Sequence, residues 1–503
     1  MKERRQLMFN ALAAVAQVAL LSAILYLLYR FLLRTVGLES LGVWSLVLSA
    51  ATLARLADPG FAASVVRFVA LHHARGNKDE ISRVIQTATL STAVSVGALL
   101  LLVWPLLPRL LGLVLQGAAL QVAIQVYPYA LLALWCSALA SVFQAGCDGL
   151  QHIHLRSGLL VGGELLHLML CYWLTPRFGL IGLGYARVIQ GVVMMGAGWL
   201  ALRRLMNFLP LVPHRWHRAT FRAMLSYGVN SQMVTVAMML YDPTTKGLLA
   251  NYGGPGLVAY FEMASRLIVN FRSIIVSANQ VLVPAIAGWR ERQPEQLTAV
   301  YRRSYELVFY FGLPLYAALI ASAPLIAEIW IGHYESHFVF DAVILAVAWF
   351  INTLNAPAYF ANLGEGHLRW NTISHLLIGA LNLLLGVLLG RFYGGSGVVI
   401  AWALALMAGS VMTGVAYHLE HRLSLWLLLP GAELVGLICA ALGAVIALVI
   451  YFQMRGVSGL AITGLVMLLT CGLSLSIPLW ISPARKLLMR WLSAELFKPA
   501  ARA

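Results

Sequence analysis

Apolar residues run along this chain in long stretches, separated by short polar connections. Fourteen stretches approach the roughly 20 residues that a membrane-crossing helix needs. The first runs to about Leu33. The others cover 39–57 (continuing toward 70), 84–107, 127–148, 157–175, 180–202, 223–241, 257–287, 303–330, 338–362, 371–390, 396–418, 427–452 and 457–481. The first follows Met1-Lys-Glu-Arg-Arg5 and is too long for the apolar core of a cleaved signal peptide, so it is read as span 1. An even number of spans puts both termini on one side. The pattern predicts an all-α polytopic membrane protein with no soluble domain on either face. The stretch 108–126, with Gln116, Gln121 and Gln125 in apolar surroundings, is read as a loop along the interface.

Composition agrees. Apolar residues make up 61% of the 503 and charged residues 11%, against about 45–50% and 25% in soluble domains. Too few charges are present to cover a water-soluble fold of this size. Disorder, collagen and a disulfide scaffold are excluded on the same grounds.

The net charge is +16, from 35 Lys+Arg and 19 Asp+Glu. With the N-terminus in the cytoplasm, cytoplasmic segments hold 23 of the bases. The opposite side holds six: Arg34, Arg109, Arg177, Lys246, Arg391 and Arg455. That bias is a positive-inside signal. It accounts for the basic surplus without nucleic acid and places both termini in the cytoplasm. Cys136, Cys147, Cys171, Cys439 and Cys471 lie in or at the ends of apolar runs and form no CxxC, so neither a disulfide nor a metal site is expected.

The sequence repeats itself at an offset near 215. Asp148-Gly149, His154-Leu-Arg156, Arg177-Phe178 and Gly182 recur as Glu365-Gly366, His367-Leu-Arg369, Arg391-Phe392 and Gly397, and Leu41–Trp44 corresponds to Leu257–Tyr260. Each copy holds six spans, so both insert the same way up. Parallel repeats of this kind are related by an axis along the membrane normal and form two lobes around a central cavity. The expected division is 1–205 and 206–424 as the lobes, with 425–503 supplying two extra helices and a cytoplasmic tail.

Charges inside a membrane span are costly and usually face a cavity or a partner. The deep ones are Arg55, Glu164, Arg187, Glu262, Arg266 and Arg272; Arg30, Asp58, Arg67 and Asp242 lie near span ends. In span 8, Glu262, Arg266, Ser273, Ser277 and Gln280 share one helix face. Ser265, Arg272 and Asn279 form a second stripe about 100° away. Span 2, its counterpart, carries Ser45, Ser49, Thr52 and Arg55 in one sector. Two equivalent helices thus present arginine, which grips phosphate in a bidentate way, and an anionic cargo is favoured. The structural alternative pairs Glu262 with Arg266 and Arg55 with Asp58 for stability alone. His167 and His375 are read as packing residues. The glycines of Gly158–Gly163 are read as a close-packing face.

Gly42-Val-Trp-Ser-Leu-Val47, Leu56-Ala-Asp58-Pro-Gly60 and Val66-Arg67-Phe-Val-Ala70 resemble the second helix of bacterial polysaccharide and O-antigen flippases. Gln144-Ala-Gly146 with Asp148-Gly149 resembles the end of their fourth helix. Tyr260-Phe-Glu262-Met-Ala264 with Arg266, Gln280 and Pro284 is similar to their eighth. These proteins form the polysaccharide transporter branch of the multidrug/oligosaccharidyl-lipid/polysaccharide exporter superfamily. The resemblance implies a V-shaped transporter of 12 to 14 helices in the bacterial inner membrane. Its cargo would be a polyprenyl-pyrophosphate-linked sugar, moved between leaflets by alternating access. It also implies that Arg55, Arg266 and Arg272, with Arg30 a weaker match, hold pyrophosphate or acidic sugar. Glu262 and Gln280 complete the expected substrate-binding set. Related lipid II flippases use a groove by spans 13 and 14 for the lipid tail, but no motif here singles out lipid II.

The chain is expected to be no enzyme, to need no cofactor and to act as a monomer in the bilayer. One rival is a cation-coupled drug exporter of the same superfamily, which would place carboxylates in its cavity; the deep arginines oppose it. The other is a membrane sugar polymerase or ligase, which would need an outward catalytic loop that the sequence lacks. No GxxxxGK[ST] segment for ATP is present.

Overall fold

The computed structural model describes residues 2–52, 60–150, 152–280, 297–365, 369–428, 431–455 and 459–481. Among them there is no β-strand. In chain order the helices are α1 (Lys2–Thr35), α2 (Leu38–Thr52), α3 (Phe61–Ala74), α4 (Lys78–Val103), α5 (Leu107–Gly112), α6 (Gly117–Gly149), α7 (Ile153–Leu205) and α8 (Arg218–Met239). There follow α9 (Tyr241–Gln280), α10 (Leu297–Trp330), α11 (Ser336–Leu354), α12 (Ala356–Glu365), α13 (Arg369–Glu420), α14 (Gly431–Met454) and α15 (Leu460–Ile481). Seven of the described helices are long and apolar enough to cross a membrane.

Two of the longest, α7 and α13, are each a pair of spans joined at one glycine. Gly179 has φ 57 and ψ −137; Gly394 has φ 62 and ψ −147. No residue with a Cβ holds that conformation cheaply. Just beyond each joint the chain doubles back on itself. A Cβ at Gly182 would run into the Leu174 carbonyl, and one at Gly397 into the Leu389 carbonyl. Both glycine pairs are 215 residues apart, the offset of the sequence repeat. A third pair, Gly37 (φ 82) and Gly254 (φ 79), marks the α1–α2 junction and the kink within α9. The repeat is therefore written into backbone turns as well as into letters. With α7 and α13 divided at their glycines, the first limb of α9 continuing α8 as span 7, α2 and α3 together forming span 2, and α11 with α12 forming span 10, the described helices apart from the short α5 give the fourteen expected rods.

Some boundaries differ from the sequence reading. Residues 117–126, expected in an interfacial loop, form the first turns of α6, and only the short α5 precedes them. Residues 241–253, expected in a loop around Lys246, are helical, although Pro243, Gly247 and the Gly253-Gly-Pro255 run lower local hydropathy and suggest a break. Gly158 and Gly162 do not pack closely: no atom lies within 4 Å of a Cβ built on either, and only Gly163 meets a neighbour, Met194.

The chain forms two compact units, Met1–Glu262 with Asn382–Val398, and Met263–Leu381 with Val399–Ala503. In the first, Phe61, Val65 and Val69 of α3 pack with Ile85 of α4, Phe143 of α6 and Leu202 of α7. In the second, Ala321 of α10 packs with Ala447 and Tyr451 of α14 and with Met467 and Cys471 of α15. The other faces of α14 and α15 leave Leu434, Ile438, Leu442, Leu465 and Leu469 exposed, a surface suited to lipid and not to water.

Candidate functional site

Polar residues of α9 and its neighbours form two networks, one in each compact unit. The first centres on Lys246. Its Nζ lies 2.7 Å from Asp242 Oδ2, one turn earlier on α9, and 2.6 Å from Glu262 Oε2, beyond the Gly254 kink. Tyr29 of α1 donates to Glu262 Oε1 at 3.2 Å, and Ser49 of α2 donates to Asp242 Oδ2 at 2.5 Å. Lys246 and Glu262 are 3% and 5% exposed, whereas the Asp242 side chain is 49% exposed. The buried lysine–glutamate pair is thus the strongly coupled part, where dielectric is low. Tyr29 and Lys246 stand 217 apart, the offset of Gly37 and Gly254, so one register position in each repeat reaches the same carboxylate.

Two close approaches hold this region. Gly42 of α2 lies so near the Pro255 carbonyl that a Cβ would collide with it. Asn382 of α13 donates to Thr245 Oγ1 at 3.0 Å and to the Tyr241 carbonyl at 3.5 Å. The first lies just past the Gly254 kink, and the second binds the short first limb of α9, which its own hydropathy would not secure.

The second network holds Arg272. Its Nη2 donates to Asn352 Oδ1 of α11 at 2.7 Å, and its guanidinium stacks 4.6 Å from the Trp349 ring. Asn352 Nδ2 donates in turn to Ser410 of α13 at 2.7 Å. A stacked, hydrogen-bonded guanidinium is fixed in orientation. Its Nε is buried with no hydrogen-bond partner among the described residues.

The structure places the other expected site residues as follows. Arg266 sits one turn beyond Glu262 on α9 and is exposed. Arg30 on α1 donates to Tyr26 Oη at 2.7 Å. Gln280 ends α9, with its side chain outside the described residues, as are those of Ser277 and Asn279. Arg55 and Asp58 lie outside the described residues altogether. Ser45 and Ser49 are buried rather than lining a wet face.

Arg187, one of the deep charges, has partners: Gln190 Oε1 at 2.7 Å and Glu164 Oε1 at 3.4 Å. His167 is buried against Cys171, as a packing residue would be. Sequence reasoning missed Lys246, Tyr29, Trp349 and Asn352. A signal for Lys246 existed in the i, i+4 spacing of Asp242 and Lys246, but a loop assignment hid it.

Comparison with known proteins matches this architecture. The family described as Polysaccharide biosynthesis protein fits residues 11–289, more than half of the chain. A Shigella flexneri protein named as a candidate O-antigen transporter is 22% identical over 395 residues, covering 76% of this chain and 90% of its own length. The lipid II flippase MurJ in an inward closed conformation superposes with TM-score 0.70 at 14% identity, covering 96% of this chain and all of that one. An inward-facing multidrug resistance MATE family transporter of the MOP superfamily superposes with TM-score 0.69 at 17% identity, covering 82% and 98%. The fold is that of these transporters, and the chain belongs to the polysaccharide biosynthesis protein family.

Proposed function

We propose that this chain is a flippase. It moves a polyprenyl-(pyro)phosphate-linked oligosaccharide across the bacterial inner membrane by alternating access, with both termini cytoplasmic and the chain acting as a monomer. Lobes at 1–205 and 206–424 rock about the cargo site, and 425–503 adds two helices beside them. Arg55, Arg266 and Arg272 draw in the anionic head group, with Arg30 and Gln280 around it, while Glu262 stays buried with Lys246. The prenyl tail stays in lipid. No catalytic step is involved.

The observation that carries this reading is the arginine pair on α9 in a chain of the polysaccharide biosynthesis family. Arg266 is exposed, while Arg272 is held in a fixed pose by Asn352 and Trp349. A guanidinium fixed in this way favours bidentate contact with phosphate or carboxylate. The carboxylates that a cation exporter would need are engaged elsewhere, Glu262 by Lys246 and Glu164 by Arg187, which supports an anionic cargo over a cationic drug.

Genetic complementation tests it. Cells lacking the chain should accumulate lipid-linked oligosaccharide in the inner leaflet, and the intact gene should clear it. Arg266→Ala and Arg272→Ala should fail to do so at normal membrane protein levels. Lysine at either position should restore part of the activity, because a point charge cannot reproduce bidentate contact. Full activity of both alanine variants would reject the assignment.

A further inference from the structure

Between α7 and α8 the chain runs through 206–217 without regular helix, yet it is strapped to α4. Gln86 Oε1 accepts from the backbone amides of His214 and Arg215, at 3.2 and 3.1 Å. Thr87 Oγ1 accepts from the amide of His217 at 3.2 Å, and Ser91 Oγ accepts from Trp216 Nε1 at 3.0 Å. At the far end of the segment, Trp199 Nε1 of α7 donates to the Leu211 carbonyl at 2.8 Å. Gln86, Thr87 and Ser91 are buried polar side chains in a membrane-length helix, where an unmet polar group is expensive. The strap satisfies them and fixes the path of the segment.

What the fixed segment presents is apolar. Leu211 is 72% exposed and Val212 65%, with Phe208 and Trp216 exposed beside them. Hydrogen bonds here hold a backbone whose large apolar side chains point outward, which in water would favour aggregation. Arg204, Arg215, Arg218 and Arg222 are exposed in the same stretch. From 203 to 222 there are five arginines, two histidines and no acid. Apolar and aromatic side chains among unopposed arginines match a segment seated at an anionic bilayer surface.

We infer that 206–222 is a binding site for anionic phospholipid. Leu211, Val212 and Trp216 enter the upper acyl region, while Arg215, Arg218 and Arg222 hold headgroup phosphate. The site needs no cargo and stands apart from the transport reading.

The full chain should be reconstituted in phosphatidylcholine vesicles, with and without phosphatidylglycerol. With 14 tryptophans present, Trp216 is read as the difference between the wild type and Trp216→Phe. Lipid brominated high on the acyl chain should quench that signal, and aqueous acrylamide should not. Phosphatidylglycerol should deepen the quenching. The triple variant Arg215→Gln, Arg218→Gln, Arg222→Gln should lose this dependence on phosphatidylglycerol. Leu211→Cys carrying a polarity-sensitive dye gives an independent reading in a chain that keeps Trp216, and should shift to the blue in vesicles. Quenching by acrylamide instead of brominated lipid would overturn the inference. So would phosphatidylglycerol dependence that survives in the triple variant, or an equal effect of inorganic phosphate in vesicles of phosphatidylcholine alone, which would mean an ion is bound and not a lipid.

Discussion

Lys246 illustrates how much one buried charge can decide. Removing it leaves Glu262 buried beside Tyr29 without its cation, and breaking a buried pair from one side costs about 3–5 kcal/mol. Lys246→Met should therefore lower the melting temperature of the purified protein sharply. Adding Glu262→Gln should recover most of the loss, because the orphaned charge is gone. Additive losses in the double variant would show that the two side chains do not act as a pair. Glu262 was legible in the sequence because it shares a helix face with Arg266 and Ser273. Its partner was not, because periodicity identifies a face but not what meets it across a kink. Arg272 is a similar case. Its depth in a span marked it as functional, whereas Trp349 and Asn352, some 80 residues away, carry no local signal of contact. Trp349→Leu removes the stacking surface and should weaken transport at unchanged protein level if the fixed pose of Arg272 matters, as a complementation assay would report.

At the scale of elements, hydropathy predicted the fourteen rods because membrane thickness sets their length. The joints were legible too: the breaks expected at 176–179 and 391–395 hold Gly179 and Gly394, although hydropathy did not show that one glycine makes each turn within an otherwise continuous helix. The same conformation at both joints predicts the same sensitivity. Gly179→Ala and Gly394→Ala should each cost about 1–3 kcal/mol, the range for side chains forced into glycine-only backbone regions. Thermal unfolding of the two variants measures this, and a large cost at one position with none at the other would contradict the equivalence.

The end of α13 offers a pH test. His421, just past the helix, lies with Nε2 3.0 Å from Glu365 Oε2 of α12 and stacks on Tyr417 at 4.1 Å. The hydrogen bond to Glu365 raises the His421 pKa above its usual value, near 6.5. A raised folded pKa gives stability that is fully present below the unfolded value and is lost as pH climbs through the folded one. The melting-temperature advantage of the wild type over His421→Phe should thus be largest on the acid side of neutrality and shrink as the solution becomes alkaline. An advantage that grew with pH would reverse the assignment.

For the whole molecule, composition alone excluded a soluble fold, and the arginine bias gave an orientation before any contact was known. The repeat was legible in four short blocks of sequence, and paired turn glycines now accompany it. The path from fold to cargo rests on few residues, chiefly Arg266 and Arg272, because transporters that share an architecture differ in the side chains that meet the cargo. The topology carries its own test: a reporter fused after Ala503 should be active only as a cytoplasmic fusion, and periplasmic activity would reverse the orientation. The central claim is transport itself. Purified chain should be reconstituted in liposomes holding a fluorescent polyprenyl-pyrophosphate-linked oligosaccharide, and the fraction of label reached by a membrane-impermeant quencher followed with time. Wild-type protein should move protected label to the exposed leaflet, and the Arg266→Ala, Arg272→Ala double variant, reconstituted to the same density, should leave it protected. Movement at the same rate in the double variant, or none in the wild type under any ion gradient imposed, would contradict the account.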